Sequence, residues 1–268
     1  MMLSRFPVWI SERIPPSVKQ AVHRVRLLDS ALMYLYGSLI KGKVVSIAEG
    51  PMSGIQLATS RHTSHAHIQG TYEREVQDAI DSMVRQGDIC YDLGASIGYM
   101  TLLMAHKAKQ VYAFEPAPHA VTELRRHVAA NAMQNVTVVP CPVSGNVRTV
   151  RFCLTDNAYG SGINETETRW TVLQLETTTL DLFIRDHPVP DFLKLDVEGE
   201  EGAVLDGAHE MLALHKTSIC CEVHHQDAAR SVIGTLERFG YKLTLLDGSP
   251  VKMPEEIVAG AFHILARP

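Results

Sequence analysis

Between residues 73 and 139, short apolar runs alternate with segments of helical period, and few folds accommodate that pattern. Residues 73–86 predict an amphipathic helix and Ile89–Leu93 a strand. Residues 97–107 predict a second helix and Gln110–Phe114 a second strand. Residues 118–131 form a third helix, with Val121, Leu124, Val128 and Ala132 on one face, and Val136–Val139 a third strand. Apolar runs of four or five residues between such helices are strand-sized. The β-α-β-α-β order predicts parallel strands joined by right-handed crossovers, the doubly wound α/β class with helices on both faces. Further strands are expected at 147–154 and 171–176, around a Gly/Ser/Asn-rich loop at 157–164. Phe192–Asp196 and Ser218–Val223 resume the parallel pattern, with a helix at 200–214 between them. The tail adds a helix at 226–238 and strands at 241–246 and 260–266.

Residues 1–70 read differently and form an N-terminal extension to a main domain at 71–268. Pro15-Pro16 stops what precedes it, and residues 17–36 have helical spacing. Val44–Ile47 and Ile55–Leu57, flanking Gly50-Pro51 and Gly54, predict a β-hairpin. Such an extension suits a substrate cap or a dimer element, and peripheral membrane contact by the 17–36 helix is a further option. His62, His65 and His67 follow with irregular, loop-like spacing and no nearby carboxylate, so they are read as a polar connector and no metal ligands are assigned. The net charge of −5 gives no basic surface for phosphates, so nucleic acid is not an expected partner. Five cysteines without a CxxC pair suit buried free thiols in a reducing compartment. With no apolar run near ~18 residues, no spanning helix is expected, and a cytoplasmic location is inferred.

The first strand ends in Asp92, and the turn Gly94-Ala95-Ser96-Ile97-Gly98 opens the next helix. In open parallel sheets, ligands bind at the carboxyl ends of the strands where the winding reverses. The second strand ends in Glu115, about twenty residues on, where an acid accepts the hydroxyls of a ribose. The plainer reading of Glu115-Pro116 is a helix start. A pyrophosphate cofactor wants G-x-G-x-x-G, whereas here Ser96 stands at the second glycine. Asp92 would also repel a diphosphate. A cationic sulfonium with an amino-acid tail tolerates both features.

These residues resemble the FkbM-type methyltransferases. The matching stretches are Gly70-Thr71-Tyr72-Glu73, Asp92 to Gly98, Phe114-Glu115-Pro116, Lys194 to Gly199, and Glu201 with Val204-Leu205 and Gly207-Ala208. The resemblance runs from about Gly70 to Glu222. It implies a Rossmann-like seven-stranded methyltransferase sheet, mostly parallel with an antiparallel C-terminal strand. It also implies S-adenosylmethionine as donor and O-methylation of a hydroxyl on a sugar, glycolipid or secondary metabolite. By position, Asp92, Gly94, Ala95, Ser96 and Gly98 are implied as the donor turn, Glu115 with Pro116 as the ribose contact, and Tyr72 with Glu73 as pocket wall. An adenine contact is expected around Cys141–Ser144, with Ser144 the polar member. Ser96 replaces the family's usual Asn, and Pro140-Cys141-Pro142 is unusually proline-rich.

Methylating a hydroxyl also requires a base. Asp196, Glu198, Glu222, His224 and His225 lie at the ends of the later strands and are the candidates, the first four being assigned as catalytic. Lys194, inside an apolar strand, is expected to pair with a carboxylate. His224, two residues after Glu222, is read either as the base, with a pKa near neutrality, or as a strand-end histidine with no role. Glu200 and Glu201 read as charges favouring a helix start. The competing readings are an NAD-dependent oxidoreductase and a nucleoside-binding module without catalysis. A small-molecule or glycan acceptor is the expected partner, and self-association is left open.

Overall fold

The computed structural model describes residues 42–155, 160–164, 166, 170–251 and 261–268. The helix expected at 17–36 lies outside the described residues. The hairpin comes first, β1 (Val44–Ser46) and β2 (Gln56–Ala58), then α1 (His65–Gln69) and α2 (Arg74–Met83). The alternating core follows as β3 (Ile89–Leu93), α3 (Tyr99–Ala105), β4 (Gln110–Phe114), α4 (Pro118–Ala130) and β5 (Val136–Val139). Next come β6 (Thr149–Leu154), β7 (Gly162–Ile163), β8 (Thr171–Glu176) and the short α5 (Leu180–Phe183). The chain continues through β9 (Phe192–Leu195), α6 (Glu201–Asp206), α7 (His209–Ala213) and β10 (Ser218–Val223). It ends with α8 (Gln226–Arg238), β11 (Lys242–Leu245) and β12 (Phe262–Arg267).

Seven strands form one sheet in the order β11-β12-β10-β9-β3-β4-β5. Pairings among β10, β9, β3, β4 and β5 are parallel, and β12 is antiparallel to both neighbours. From β3 the chain winds outward through β4 and β5, then returns to place β9 on β3's other side, so the winding reverses between β3 and β9. Strands β6, β7 and β8 form a separate antiparallel sheet inserted before that return.

All five residues of β3 are buried, as expected for a strand covered on both faces. Cys90 packs with Ile80, Leu102 and Met104 from α2 and α3, and with Ile47 and Leu57 of the hairpin. Tyr91 and Leu93 pack on the other face with Leu205, Met211, Val232 and Leu236 from α6, α7 and α8. Burying each such aliphatic side chain contributes about 1.5–3 kcal/mol. Cys90, Cys153, Cys220 and Cys221 are buried, and all five thiols are free.

Two expected elements differ. The helix at 200–214 is two helices, broken at Gly207-Ala208. There the backbone passes so close to Ser144 that a Cβ on Gly207 would lie 2.7 Å from its carbonyl oxygen. The histidine connector is partly helical. Ser64 caps α1, and His67 is buried against Tyr72 and Tyr99. His62 does have a carboxylate partner, Glu123 Oε1 at 2.7 Å, from a helix some sixty residues downstream.

Candidate active site

Where the winding reverses, Asp92 of β3 stands directly beside Lys194 of β9. Asp92 is fully buried; its Oδ2 accepts a short 2.5 Å hydrogen bond from Thr101. Its Oδ1 is buried without a hydrogen-bond partner among the described residues. Burial raises the Asp92 pKa, against the pull of Lys194 and Thr101. The expected lysine pair is present: Lys194 Nζ donates to Asp196 Oδ2 at 2.8 Å. Burial alone would lower the Lys194 pKa, but Asp196 and Asp92 outweigh it and hold the ammonium charged.

The turn after β3 is built by its backbone. Gly94 has φ +75°, and a Cβ there would collide with the carbonyl oxygen of Asp196. That close approach joins the ends of β3 and β9. Ser96 also adopts a left-handed conformation, φ +48°, which turns its N–H onto Glu115 Oε2 at 2.8 Å. The Ala117 N–H donates to Glu115 Oε1 at 2.7 Å. Burial outweighs these two donors and pushes the Glu115 carboxyl up to about 7. Each Glu115 oxygen thus has a fixed backbone donor and keeps acceptor capacity for a further hydroxyl.

Glu115 and Pro116 line a cleft at the carboxyl ends of β3, β4 and β9. Gly94, Ser96, Asp196 and Glu198 share it. So do Cys141, Pro142 and Val143 after β5, and Phe152 and Ile163 from the inserted sheet. Ser144 does not: it is buried behind the wall, its hydroxyl donating to Glu200 Oε2 at 2.8 Å. The wall at which an adenine contact was expected is therefore formed by Cys141, Pro142 and Val143 and not by Ser144. Gly98 is also set back and packs on Leu124.

A smaller adjoining recess is lined by Tyr72, Glu73, Asp92, Ala95, Tyr99 and Lys194. Tyr72 is held by stacking on His67, ring centroids 4.1 Å apart. Glu73 enters in a left-handed conformation, φ +44°, with its pKa raised by burial. Three of the five non-glycine residues with positive φ among the described residues, Glu73, Ser96 and Glu198, lie at this site. Such backbone strain gathers at functional sites. The unpartnered Asp92 oxygen with Glu73 and Asp196 fits a cationic, amine-bearing tail and opposes a diphosphate.

The candidate catalytic residues converge beyond this recess. His224, just past β10, has Nε2 3.4 Å from Glu198 Oε2 and 3.6 Å from Asp196 Oδ1. Its Nδ1 donates to Glu201 Oε1 at 2.9 Å. Glu201 is fully buried, and the same oxygen accepts the Gly199 N–H at 2.9 Å. Burial would lower the His224 pKa, but Glu201, Asp196 and Glu198 raise it to about 9. The near-neutral reading is corrected upward: these carboxylates favour the imidazolium form. Glu222 is turned toward His263, whose Nε2 lies 3.4 Å from Oε2, and that neighbour holds its carboxyl below the usual range. It lies 4.0 Å from His224, at the rim of the cluster. His225 caps α8, accepting the Ala228 N–H.

Sequence reasoning missed Glu201 by assigning it to helix electrostatics alone; its spacing after Asp196 and Glu198 was the available signal. Phe152 and Ile163 carried no signal, because the insertion's placement over the cleft is a tertiary fact.

The sheet order and the acid-tipped strands around one cleft define the Rossmann-like methyltransferase class. The chain belongs to the FkbM methyltransferase family, whose domain profile matches residues 92–243. A stretch of 90 residues is 29% identical to an uncharacterised protein of Methanocaldococcus jannaschii, covering 33% of each chain. The chain thus spans about a third of that relative's length. A precorrin-6Y C5,15-methyltransferase from Geobacter metallireducens superposes with a TM-score of 0.47 at 16% identity, over 72% of this chain and 87% of that one. An FkbM methyltransferase from Methylobacillus flagellatus gives 0.45 at 19% identity, over 75% and 53% respectively. Among the described residues no helix is long and apolar enough to cross a membrane.

Proposed function

We propose that this protein transfers a methyl group from S-adenosylmethionine to a hydroxyl of a sugar, glycolipid or secondary metabolite, with His224 accepting the hydroxyl proton. The observation that carries the reading is the arrangement of His224. Buried Glu201 fixes the Nδ1–H tautomer, so Nε2 faces Asp196 and Glu198 at the cleft edge. Orientation of an imidazole by a buried carboxylate is the logic of acid–base dyads. Bound S-adenosylmethionine supplies a methyl carbon on a sulfonium, which leaves as a neutral thioether.

The chain's residues divide the remaining tasks. Glu115 accepts the two ribose hydroxyls, and Val143, Pro116 and Phe152 enclose the base. Asp92 and Glu73, with Tyr72 as wall, take the charged amine. Asp196, tied to Lys194, and Glu198 flank the acceptor oxygen while Nε2 takes its proton. Only the neutral fraction of His224, which grows as pH rises toward about 9, has the free lone pair this role needs. Alignment of acceptor and donor supplies much of the rate. The division at residue 70 belongs to the same proposal, with 1–70 selecting acceptor or forming a dimer face.

Incubation of the protein with methyl-tritiated S-adenosylmethionine and fractions of glycolipids and small metabolites should yield an O-methylated product. The His224→Asn variant should be slower by about 10²–10⁴-fold, the usual range for a lost general base, with S-adenosylhomocysteine affinity within a few-fold. With His224 as base, the wild-type rate climbs as pH rises and levels off at or below about 9. Label on nitrogen or carbon would overturn the acceptor class. Undiminished turnover in His224→Asn, Asp196→Asn and Glu198→Gln alike would overturn the placement of the chemistry.

A further inference from the structure

We infer that the inserted β6–β7–β8 sheet carries the acceptor subsite, in which the face of a neutral pyranose ring stacks on Trp170. The inference rests on the hydroxyl-methylation reading and names its substrate class. Trp170 immediately precedes β8 and is 37% exposed. A single exposed aromatic on open surface needs no explanation, but this one walls a recess with Thr155, Asn164 and Glu198. Gly160, Gly162, Ile163 and Glu198 line both that recess and the nucleoside cleft, so the two adjoin.

Glu198 is the hinge of the arrangement. Its Oε1 accepts the Gly160 N–H at 2.9 Å, and its Oε2 faces His224 at 3.4 Å. A ring lying on the indole would therefore sit on the same carboxylate that borders the proton acceptor. An aromatic face with a carboxylate and an amide beside it matches a sugar, which offers C–H groups on one face and hydroxyl donors on its edge. Nucleobases also stack on indoles, but Glu198 in the same recess repels the phosphate of a nucleotide. The chemistry favours an uncharged glycan.

The chain has two tryptophans, Trp9 and Trp170. In the full-length Trp9→Phe variant, Trp170 is the only indole fluorophore. Titration with methyl α- and β-glycosides of neutral hexoses and 6-deoxyhexoses, with S-adenosylhomocysteine present, should shift or quench its emission saturably for at least one sugar. Calorimetry of that sugar with Trp170→Ala, on the native Trp9 background, should show affinity at least tenfold weaker. Trp170→Phe should stay within a few-fold of wild type, and S-adenosylhomocysteine affinity should not change in either. The subsite is overturned if no glycoside perturbs Trp170, if Trp170→Ala binds the sugar normally, or if only adenosine or uridine monophosphate binds there. These readouts need no turnover. A sugar that binds through Trp170 yet is never methylated counts against the reaction and leaves the subsite standing.

Discussion

Replacing Lys194 with methionine should lower folding stability by about 3–5 kcal/mol, the cost of removing one partner from a buried charge set. Lys194 lies between Asp92 and Asp196 at the point where the sheet's winding reverses, and its ammonium is all but buried. Without it, Asp92 keeps only the Thr101 hydroxyl, and Asp196 loses its 2.8 Å partner. The fold can then survive only by protonating a carboxylate. The loss should therefore be smaller at pH 5 than at pH 8. Urea denaturation at both values measures this. The double variant Lys194→Met/Asp196→Asn should recover part of the loss at pH 8. A single-variant loss below about 1 kcal/mol at pH 8 would mean that Lys194 reaches solvent rather than pairing.

Replacing Glu115 with alanine should weaken S-adenosylhomocysteine binding by about 100-fold or more. Hydrogen bonds to a charged group contribute about 1.5–3 kcal/mol each, and two ribose hydroxyls are at stake. The Ser96 and Ala117 N–H groups would also lose their acceptor. The pH dependence follows from the raised pKa of about 7. The bound diol favours the ionised carboxylate, so binding releases a proton where Glu115 is protonated in the free protein. Affinity should therefore increase as pH rises from 6 to 8 and level off above. Glu115→Gln should bind weakly with no such slope. Calorimetry across that range reads both, and a pH-independent wild-type affinity would count against Glu115 as ribose acceptor.

The strands were legible where burial on both faces leaves unbroken apolar runs. Ile89–Leu93, Gln110–Phe114 and Ser218–Val223 begin and end where the residue pattern places them. The acids were legible as charges that interrupt or close those runs: Asp92 lies inside β3 next to its end, and Glu115 and Asp196 directly follow β4 and β9. Long-range contacts were not. The break at Gly207 depends on the approach of Ser144, and the partner of His62 comes from α4. The His224 pKa was misjudged because Asp196, Glu198 and Glu201, all from the stretch 196–201, surround it, and only the fold brings that stretch against the end of β10. Ser144 was misplaced because Glu200 claims its hydroxyl behind the wall.

The most direct measurement is a crystal structure with S-adenosylhomocysteine. The ribose hydroxyls should lie within hydrogen-bonding distance of both Glu115 oxygens, and the amino group should face Asp92 Oδ1 and Glu73. Density for the ligand elsewhere, or a cleft that stays empty at saturating ligand, would show that the ends of β3 and β4 do not hold the methyl donor.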